Sequence, residues 1–578
     1  MMKMKMFQQS QLPSSYNIIA VPGWLPLCFQ LKTSWFSSRR KKMLQIAFSS
    51  YSWLLTASHQ KDGMLFPVAL SFLVAILGIS LWHVWTIRKP KKDIAPLPPG
   101  PHGLPIVGYL PYLGTDNLHL VFTDLAAAYS PIYKLWLGNK LCVVISSAPL
   151  AKEVVRDNDI TFSERDPPVC AKIITFGLND IVFDSYSSPD WRMKRKVLVR
   201  EMLSHSSIKA CYVLRREQVL KGVQNVAQSA GKPIDFGETA FLTSINAMMS
   251  MLWGGKQGGE QKGANVWGQF RDLITEIMVI LGKPNVSDIF PVLARFDIQG
   301  LEKEMTKIVN SFDKLFNSMI EERENFSNKL SKEDGNTEAK DFLQLLLDLK
   351  QKNDSGISIT MNQVKALLMD IVVGGTDTTS TMMEWKMAEL IANPEAMKKV
   401  KQEIDDVVGS DAAVDETHLP KLRYLDAAVK EAFRLHPPLP LLVPRCPCDL
   451  SNVDGYSVPK GTRVFLNIWC IQRDPQLWEN PLEFKPERFL TDHEKLDYLG
   501  NNSRYMPFGS GRRMCAGVSL GEKMLYSSLA AMIHAYDWKL ADGEENDLIG
   551  LFGIIMKKKK PLILVPTPRP SNLQHYMK

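Results

Sequence analysis

The residue of this sequence best suited to chemistry is Cys515, in the run Phe508-Gly-Ser-Gly-Arg-Arg-Met-Cys-Ala-Gly517. It stands alone among glycines and beside two arginines. Basic neighbours favour the ionised sulfur, and glycines let backbone come close to a flat ligand. The spacing of Leu520, Met524, Leu525, Leu529 and Met532 predicts a helix over 518–536, whose N-terminal dipole would stabilise negative charge on the cysteine. A thiolate ligand of the kind that donates electrons to haem iron is the chemistry this pattern supports. A buried structural cysteine in a glycine-rich turn is the plain reading it competes with.

A second unusual run, Gly374-Gly-Thr-Asp-Thr-Thr379, sits in the middle of a helical pattern over 361–391. Glycine costs about 1 kcal/mol relative to alanine inside a helix, and Thr and Asp compete for backbone hydrogen bonds. The run therefore predicts an interruption, and so strong a departure from local preference points to function. An ordinary Gly/Thr kink is its plain reading. Trp191 and Arg195 lie one turn apart on a basic helical segment, as do Glu431 and Arg434 on another. Arg192, Lys196 and Arg200 form a further stripe, either a solvated face or a docking patch for an acidic electron donor.

Phe508, Gly511, Arg513, Cys515 and Gly517 fit the signature F-x-x-G-x-R-x-C-x-G, Glu431-Ala-Phe-Arg434 fits E-x-x-R, and Pro486-Glu-Arg-Phe489 follows in order. On these motifs the sequence resembles the cytochrome P-450 monooxygenases, and its P-P-G-P and V-P-R forms resemble the plant microsomal branch. The resemblance implies a mainly α fold with a small β-region and an N-terminal transmembrane helix, and haem b with Cys515 as its iron ligand. Asp377 and Thr378 would form the acid and alcohol pair that moves protons. Trp191, Arg195, Arg445, Phe508, Gly511, Arg513 and Gly517 would bind the cofactor, with Trp191, Arg195 and Arg445 on its propionates. Glu431, Arg434 and Arg488 would interlock behind it. Ile173, Ile174, Phe176, Leu178, Gly374, Leu441, Leu442, Val443, Phe552 and Ile554 would line the substrate pocket.

The implied reaction is hydroxylation with O2 and with electrons from NADPH through a cytochrome P-450 reductase. Stretches such as 137–168 and 370–385 are similar to sesquiterpene hydroxylases of the plant branch, which implies (+)-δ-cadinene, oxidised at C8 for terpenoid phytoalexins, as substrate. A reductase-independent haem-thiolate isomerase or dehydratase would not need Asp377 and Thr378, and a haem carrier would need no lid over a pocket. Two departures from the family stand in the sequence: Lys386 where a small residue is usual, and Ala432 where a hydroxyl is common.

The rest of the sequence must position these groups. Two apolar runs flank Gly138-Asn139 within 131–146 and predict a β-hairpin. A short helix is expected over 148–157, a loop without period over 169–186, and helices over 301–324 and 342–350 with loops at 254–263 and 325–337. Hairpin character is expected over 455–465, and Lys557 to Lys560 reads as a solvated segment.

With 578 residues and 45% hydrophobic content, the chain can bury a large core. Its eight cysteines follow no framework spacing, which points to a reducing compartment; Cys446-Pro-Cys448 reads as half a zinc site or as loop cysteines. The net charge of +8 divides into +7 over residues 1–63, +3 over 88–93 and −2 over the remainder. This excludes a nucleic-acid partner, because the folded part carries no basic coat. Between the basic segments, the 24 residues from Met64 to Ile87 contain no Asp, Glu, Lys or Arg. At about 1.5 Å per residue they predict a transmembrane helix, with Trp82 and Trp85 at one interface and the body on the cytosolic side of the endoplasmic reticulum. Residues 1–63 are expected to be an extension before a start at Met43 or Met64, or a transit-like peptide. A basic, proline-rich hinge over 88–108 then leads into the catalytic domain, 109–578.

Overall fold

The computed structural model describes residues 69–79, 95–114, 117–254, 260–330, 341–351, 359–491 and 496–577. Two units result, Met1–Lys89 and Pro90–Lys578. In the first, 69–79 form a helix with every side chain exposed. No helix among the described residues is long and apolar enough to cross a membrane. The expected extension 1–63, and 64–68 and 80–87 of the expected span, lie outside the described residues.

In the second unit, six helices position the chemistry: α1 (Pro189–Lys196), α2 (Phe236–Trp253), α3 (Glu260–Gly282), α4 (Met361–Ala392), α5 (Arg423–Leu435) and α6 (Val518–Ala535). The start of α4 is fixed by reciprocal capping. Gln363 N–H donates to Thr360 Oγ1 at 3.2 Å, and Thr360 N–H donates to Gln363 Oε1 at 2.9 Å. It stops at Asn393, ahead of Pro394. Apolar residues on all sides of α4 let α2, α5 and α6 pack around it.

The interruption expected at 374–379 is absent: α4 runs through it. Thr378 Oγ1 donates to Gly374 O at 2.5 Å and Ser380 Oγ to Asp377 O at 3.1 Å. These two hydroxyls are satisfied inside the helix, and burial over most of its circumference outweighs the weak local propensity.

The small β-region contains β1 (Ile132–Leu137), β2 (Lys140–Ile145), β3 (Ile234–Asp235), β4 (Ser451–Val453), β5 (Tyr456–Val458), β6 (Arg463–Leu466), β7 (Tyr536–Leu540), β8 (Gly550–Leu551), β9 (Lys557–Lys558) and β10 (Ile563–Pro568). The expected hairpin is β1–β2, with Leu137 opposite Lys140. The hairpin expected over 455–465 is displaced. Its turn is Asp454-Gly455, between β4 and β5, while β6 leaves to pair in parallel with β2, Cys142 opposite Arg463. Val464, Phe465 and Leu466 are all buried, which suits a strand covered on both faces.

Three further boundaries differ from expectation. The segment 169–186 opens with a helix, Val169–Ile174, whose first N–H donates to Asp288 Oδ1 at 2.7 Å. The loop expected over 254–263 gives way to α3 at Glu260, and the helix from Leu301 continues to Leu330. At the other end of the chain Tyr576 is fully buried. Its hydroxyl oxygen accepts Val414 N–H at 3.0 Å and lies 2.9 Å from His534 Nδ1, and Gln224 Nε2 donates to its carbonyl at 2.7 Å.

Candidate functional site

Cys515 is held by its own loop. Its N–H donates to Phe508 O at 3.0 Å, and Gly517 N–H points at Sγ from 3.4 Å just before α6 begins. Gly511 has φ +69°, and a Cβ there would stand 2.4 Å from Val155 O, so only glycine fits. Water can reach Cys515, yet protein surrounds it deeply enough that burial pushes its thiol above the ordinary value, against Gly517 N–H and the Arg195 charge. The cysteine therefore faces an interior hollow. Neither sequence neighbour supplies the charge expected of it. Arg512 turns to Asp159, and Arg513 donates to Ser163 O at 2.7 Å, Ile181 O at 3.0 Å and Asp184 O at 2.6 Å. A cation bound at the sulfur itself is what would keep it ionised.

Four arginines gather beside this loop. Arg195 of α1 donates to Met514 O at 2.7 Å. Arg445 donates to Ser510 O at 2.6 Å and pairs with Asp159 at 3.2 Å. Arg165, which no sequence motif marked, donates to Val443 O and Pro444 O. Burial, then the Arg445 and Arg513 charges, holds Arg165 well below its ordinary pKa. Most of these guanidinium contacts are carbonyls, so positive charge is in surplus, a setting that suits a cofactor with carboxylate substituents. Trp191 is placed differently from the resemblance: its Nε1 donates to Ile181 O at 2.9 Å, and its ring is covered by the Arg513 guanidinium at 4.4 Å.

The middle of α4 has one open face. Gly374 is exposed although the helix is otherwise largely buried, and a Cβ there would meet nothing within 4 Å. Thr378, one turn on, is half-buried. Val373 and Ala516, the neighbours of Gly374 and Cys515, both pack against the same helical core, and α4 packs against α6, which follows the cysteine loop. Asp377 points elsewhere, about 100° around the helix from Thr378. Its Oδ1 lies 2.6 Å from Lys557 Nζ, and its buried Oδ2 has no partner. Lys557 and Lys558 are thus not a solvated segment: they form β9, paired with β8, and Lys558 is buried. The link to Asp377 spans 180 residues, beyond the reach of any local pattern.

Behind the loop, Glu431 and Arg434 of α5 are both fully buried. Arg434 Nε donates to Glu431 Oε2 at 2.7 Å and Nη2 to Oε1 at 2.8 Å, and Arg488 Nε reaches Oε1 at 2.9 Å. Arg434 Nη1 also holds Gln472 O and Pro481 O. Phe508 packs on Phe433 of the same helix, ring centres 5.2 Å apart.

The pocket candidates are dispersed. Ile174 is buried in the helical core, with Ile173 and Phe176 packed against it. Phe176, Leu178 and Leu442 have left-handed backbone, φ +52°, +66° and +50°. Leu441 is buried beside β1 and β2, and Val443 is half-buried. Phe552 stacks on His119 at 5.3 Å, and Ile554, in the turn between β8 and β9, is exposed beside the end of α3 at Gly282. The same turn thus carries two pocket candidates and leads into Lys557.

The one exposed thiol among the described cysteines, an open helix face and surplus guanidinium charge fit a flat, iron-bearing cofactor with acidic edges. Comparison with known proteins agrees. The Cytochrome P-450 family model matches residues 98–565. The flavonoid 3'-monooxygenase of Petunia hybrida is 36% identical over 516 residues, 88% of this chain and 97% of its own length. Carnosic acid synthase of Salvia pomifera is 36% identical over 512 residues, 87% and 99% of the two chains. The solved structure of a zebra fish cytochrome P-450 with progesterone matches with a TM-score of 0.65 at 25% identity, covering 78% of this chain and 99% of that one. The family match begins in the proline-rich entry and ends within β10, taking in every element that positions Cys515, and on that ground the chain belongs to the cytochrome P-450 family.

Proposed function

We propose that this monooxygenase hydroxylates a small apolar hydrocarbon, and that the substrate is the sesquiterpene (+)-δ-cadinene, oxidised at C8. The observation that carries the oxygenase reading is the accessible thiol of Cys515 just before α6, with the open stripe Gly374–Thr378 on α4, which packs against α6. Haem, held there by Cys515 and fed with electrons from NADPH through a reductase, supplies the redox and O2 chemistry. The chain's own residues do the rest. Arg195 and Arg445 stand where acidic edges of the cofactor would be met. Thr378 Oγ1, held on Gly374 O, and the unpartnered Asp377 Oδ2 are the two atoms at which protons would be held and passed inward.

All the pocket candidates are apolar, which suits a C15 hydrocarbon. The flavonoid 3'-monooxygenase relative favours a second reading, an aromatic polyphenol, and feeding both classes separates the two. We further propose that residues 64–87 anchor the enzyme in the endoplasmic reticulum membrane with the body in the cytosol. The exposed stripe Arg192, Lys196 and Arg200 would meet the acidic surface of the reductase.

The test is a carbon monoxide difference spectrum of the reduced protein, then product analysis of microsomes supplied with sesquiterpenes and with flavonoids. A thiolate-haem spectrum and a C8 alcohol of cadinene are expected. A spectrum unaffected by Cys515→Ser would remove the oxygenase reading, and a flavonoid product alone would remove the sesquiterpene.

A further inference from the structure

Lys386 is used by none of the chemistry above. It is 1% exposed, on α4, and follows Gly374, Thr378 and Met382 at spacings of four, on one helix stripe. Helical side chains lean toward the N-terminus, and its Nζ donates to Met382 O at 3.4 Å, one turn nearer Thr378. On its other side Nζ lies 3.6 Å from the centre of the Phe433 ring. Phe433 packs on Phe508, whose carbonyl accepts the N–H of Cys515. The amine is wedged between the stripe that opens on the hollow and the aromatic pair that supports the cysteine loop.

Among the described residues no carboxylate pairs with this amine. Glu389 of α4 is taken by His436 and Glu384 by Leu562 N–H. On α5, Glu431 is held by Arg434 and Arg488, and Asp426 by Lys430 and by Tyr526 of α6. On β9, Lys557 and Lys558 face Asp377 and Asp547. Burial favours the neutral amine, while the ring favours the cation.

We propose that Lys386 sets the reduction potential of the haem held by Cys515, its amine adding one positive charge to the site when protonated and none when neutral. The proposal rests on the haem-thiolate reading. One electron from the reductase turns ferric iron ferrous and adds one negative charge; the Lys386 ammonium offsets that charge, with its proton drawn from water.

The experiment is spectroelectrochemical titration of the purified holoenzyme between about pH 6 and 9, on wild type, Lys386→Met and Lys386→Arg. The wild-type potential should fall as pH rises. At the acid end Lys386→Met should shift the equilibrium toward ferric iron by about tenfold, or about 59 mV for one electron, and lose the pH slope. Lys386→Arg should hold the high potential throughout. Lys386→Ala repeats the neutral case should the methionine overpack. Equal potentials in wild type and both neutral variants would overturn the proposal, as would a pH slope that survives them. A variant with the thiolate-haem carbon monoxide spectrum and an unchanged potential rejects the role of Lys386 alone. A wild type lacking that spectrum rejects the reading beneath it.

Discussion

Asp377 Oδ1 and Lys557 Nζ stand 2.6 Å apart and join the middle of α4 to β9, the strand that follows the turn bearing Phe552 and Ile554. With the pocket as proposed, a substrate pressing on that turn would be coupled to the carboxylate beside Thr378. Lys557→Met should leave the buried carboxylate unpaired at a cost of about 1 kcal/mol, modest because Lys557 is half exposed. Haem content should hold while NADPH consumed per product rises several-fold, and Lys557→Arg should restore most of the coupling. An unchanged ratio of NADPH to product would dispose of the link.

The buried pair behind the cysteine loop predicts a larger effect. Glu431→Gln leaves Arg434, fully buried, without its charge partner, and breaking such a pair costs about 3–5 kcal/mol. Chemical denaturation should show a loss of that order, with haem content falling alongside. Arg488→Lys, at the rim of the cluster, should cost about 1 kcal/mol.

Gly374→Ala separates stability from activity. The added methyl meets nothing within 4 Å, and alanine improves a helix interior by up to about 1 kcal/mol. The melting temperature should stay level or rise, while substrate-induced spectral change and turnover fall about tenfold as the methyl fills the hollow. Full turnover in this variant would show that the open face of α4 does not meet substrate.

Glu384 gives the chain a pH dependence. Burial, the larger influence, pushes its carboxyl up to about 7 from an ordinary 4.5, against Leu562 N–H, which pulls it down. Between those values the native protein holds a proton that the unfolded chain has released, so stability falls as pH rises through the window. Glu384→Gln should gain on wild type from about pH 4.5 to 7 and hold a constant advantage above, about 3 kcal/mol at most. Parallel melting curves for the two proteins across that range would contradict the assignment.

The parts of this molecule legible in the sequence are those written in consecutive residues. The cysteine loop, the Gly138-Asn139 hairpin and the i, i+3 pair Glu431 and Arg434 each declare themselves within one short consecutive stretch. The middle of α4 misled for a physical reason: the local cost of Gly374-Gly375 is real, but a helix packed over most of its surface absorbs it. The β6 strand was misplaced because its partner, β2, lies far away in the chain and leaves no pattern beside it. Arg165 and Lys557 were invisible for the same cause, since their roles consist of contacts with distant backbone or side chains. Lys386 was visible only as an oddity, and its surroundings, not its neighbours in sequence, give it meaning.

The interment of Tyr576 bears on how the enzyme can be handled. Held at its phenol by Val414 and His534 and at its carbonyl by Gln224, this residue acts as a clasp, closing three separate stretches of the body. Trimming by a carboxypeptidase past that residue would unfasten regions far from any catalytic group, and a purification handle joined there without a spacer would tug on the clasp. Preparations that lose their colour on storage are therefore best inspected first for a shortened tail.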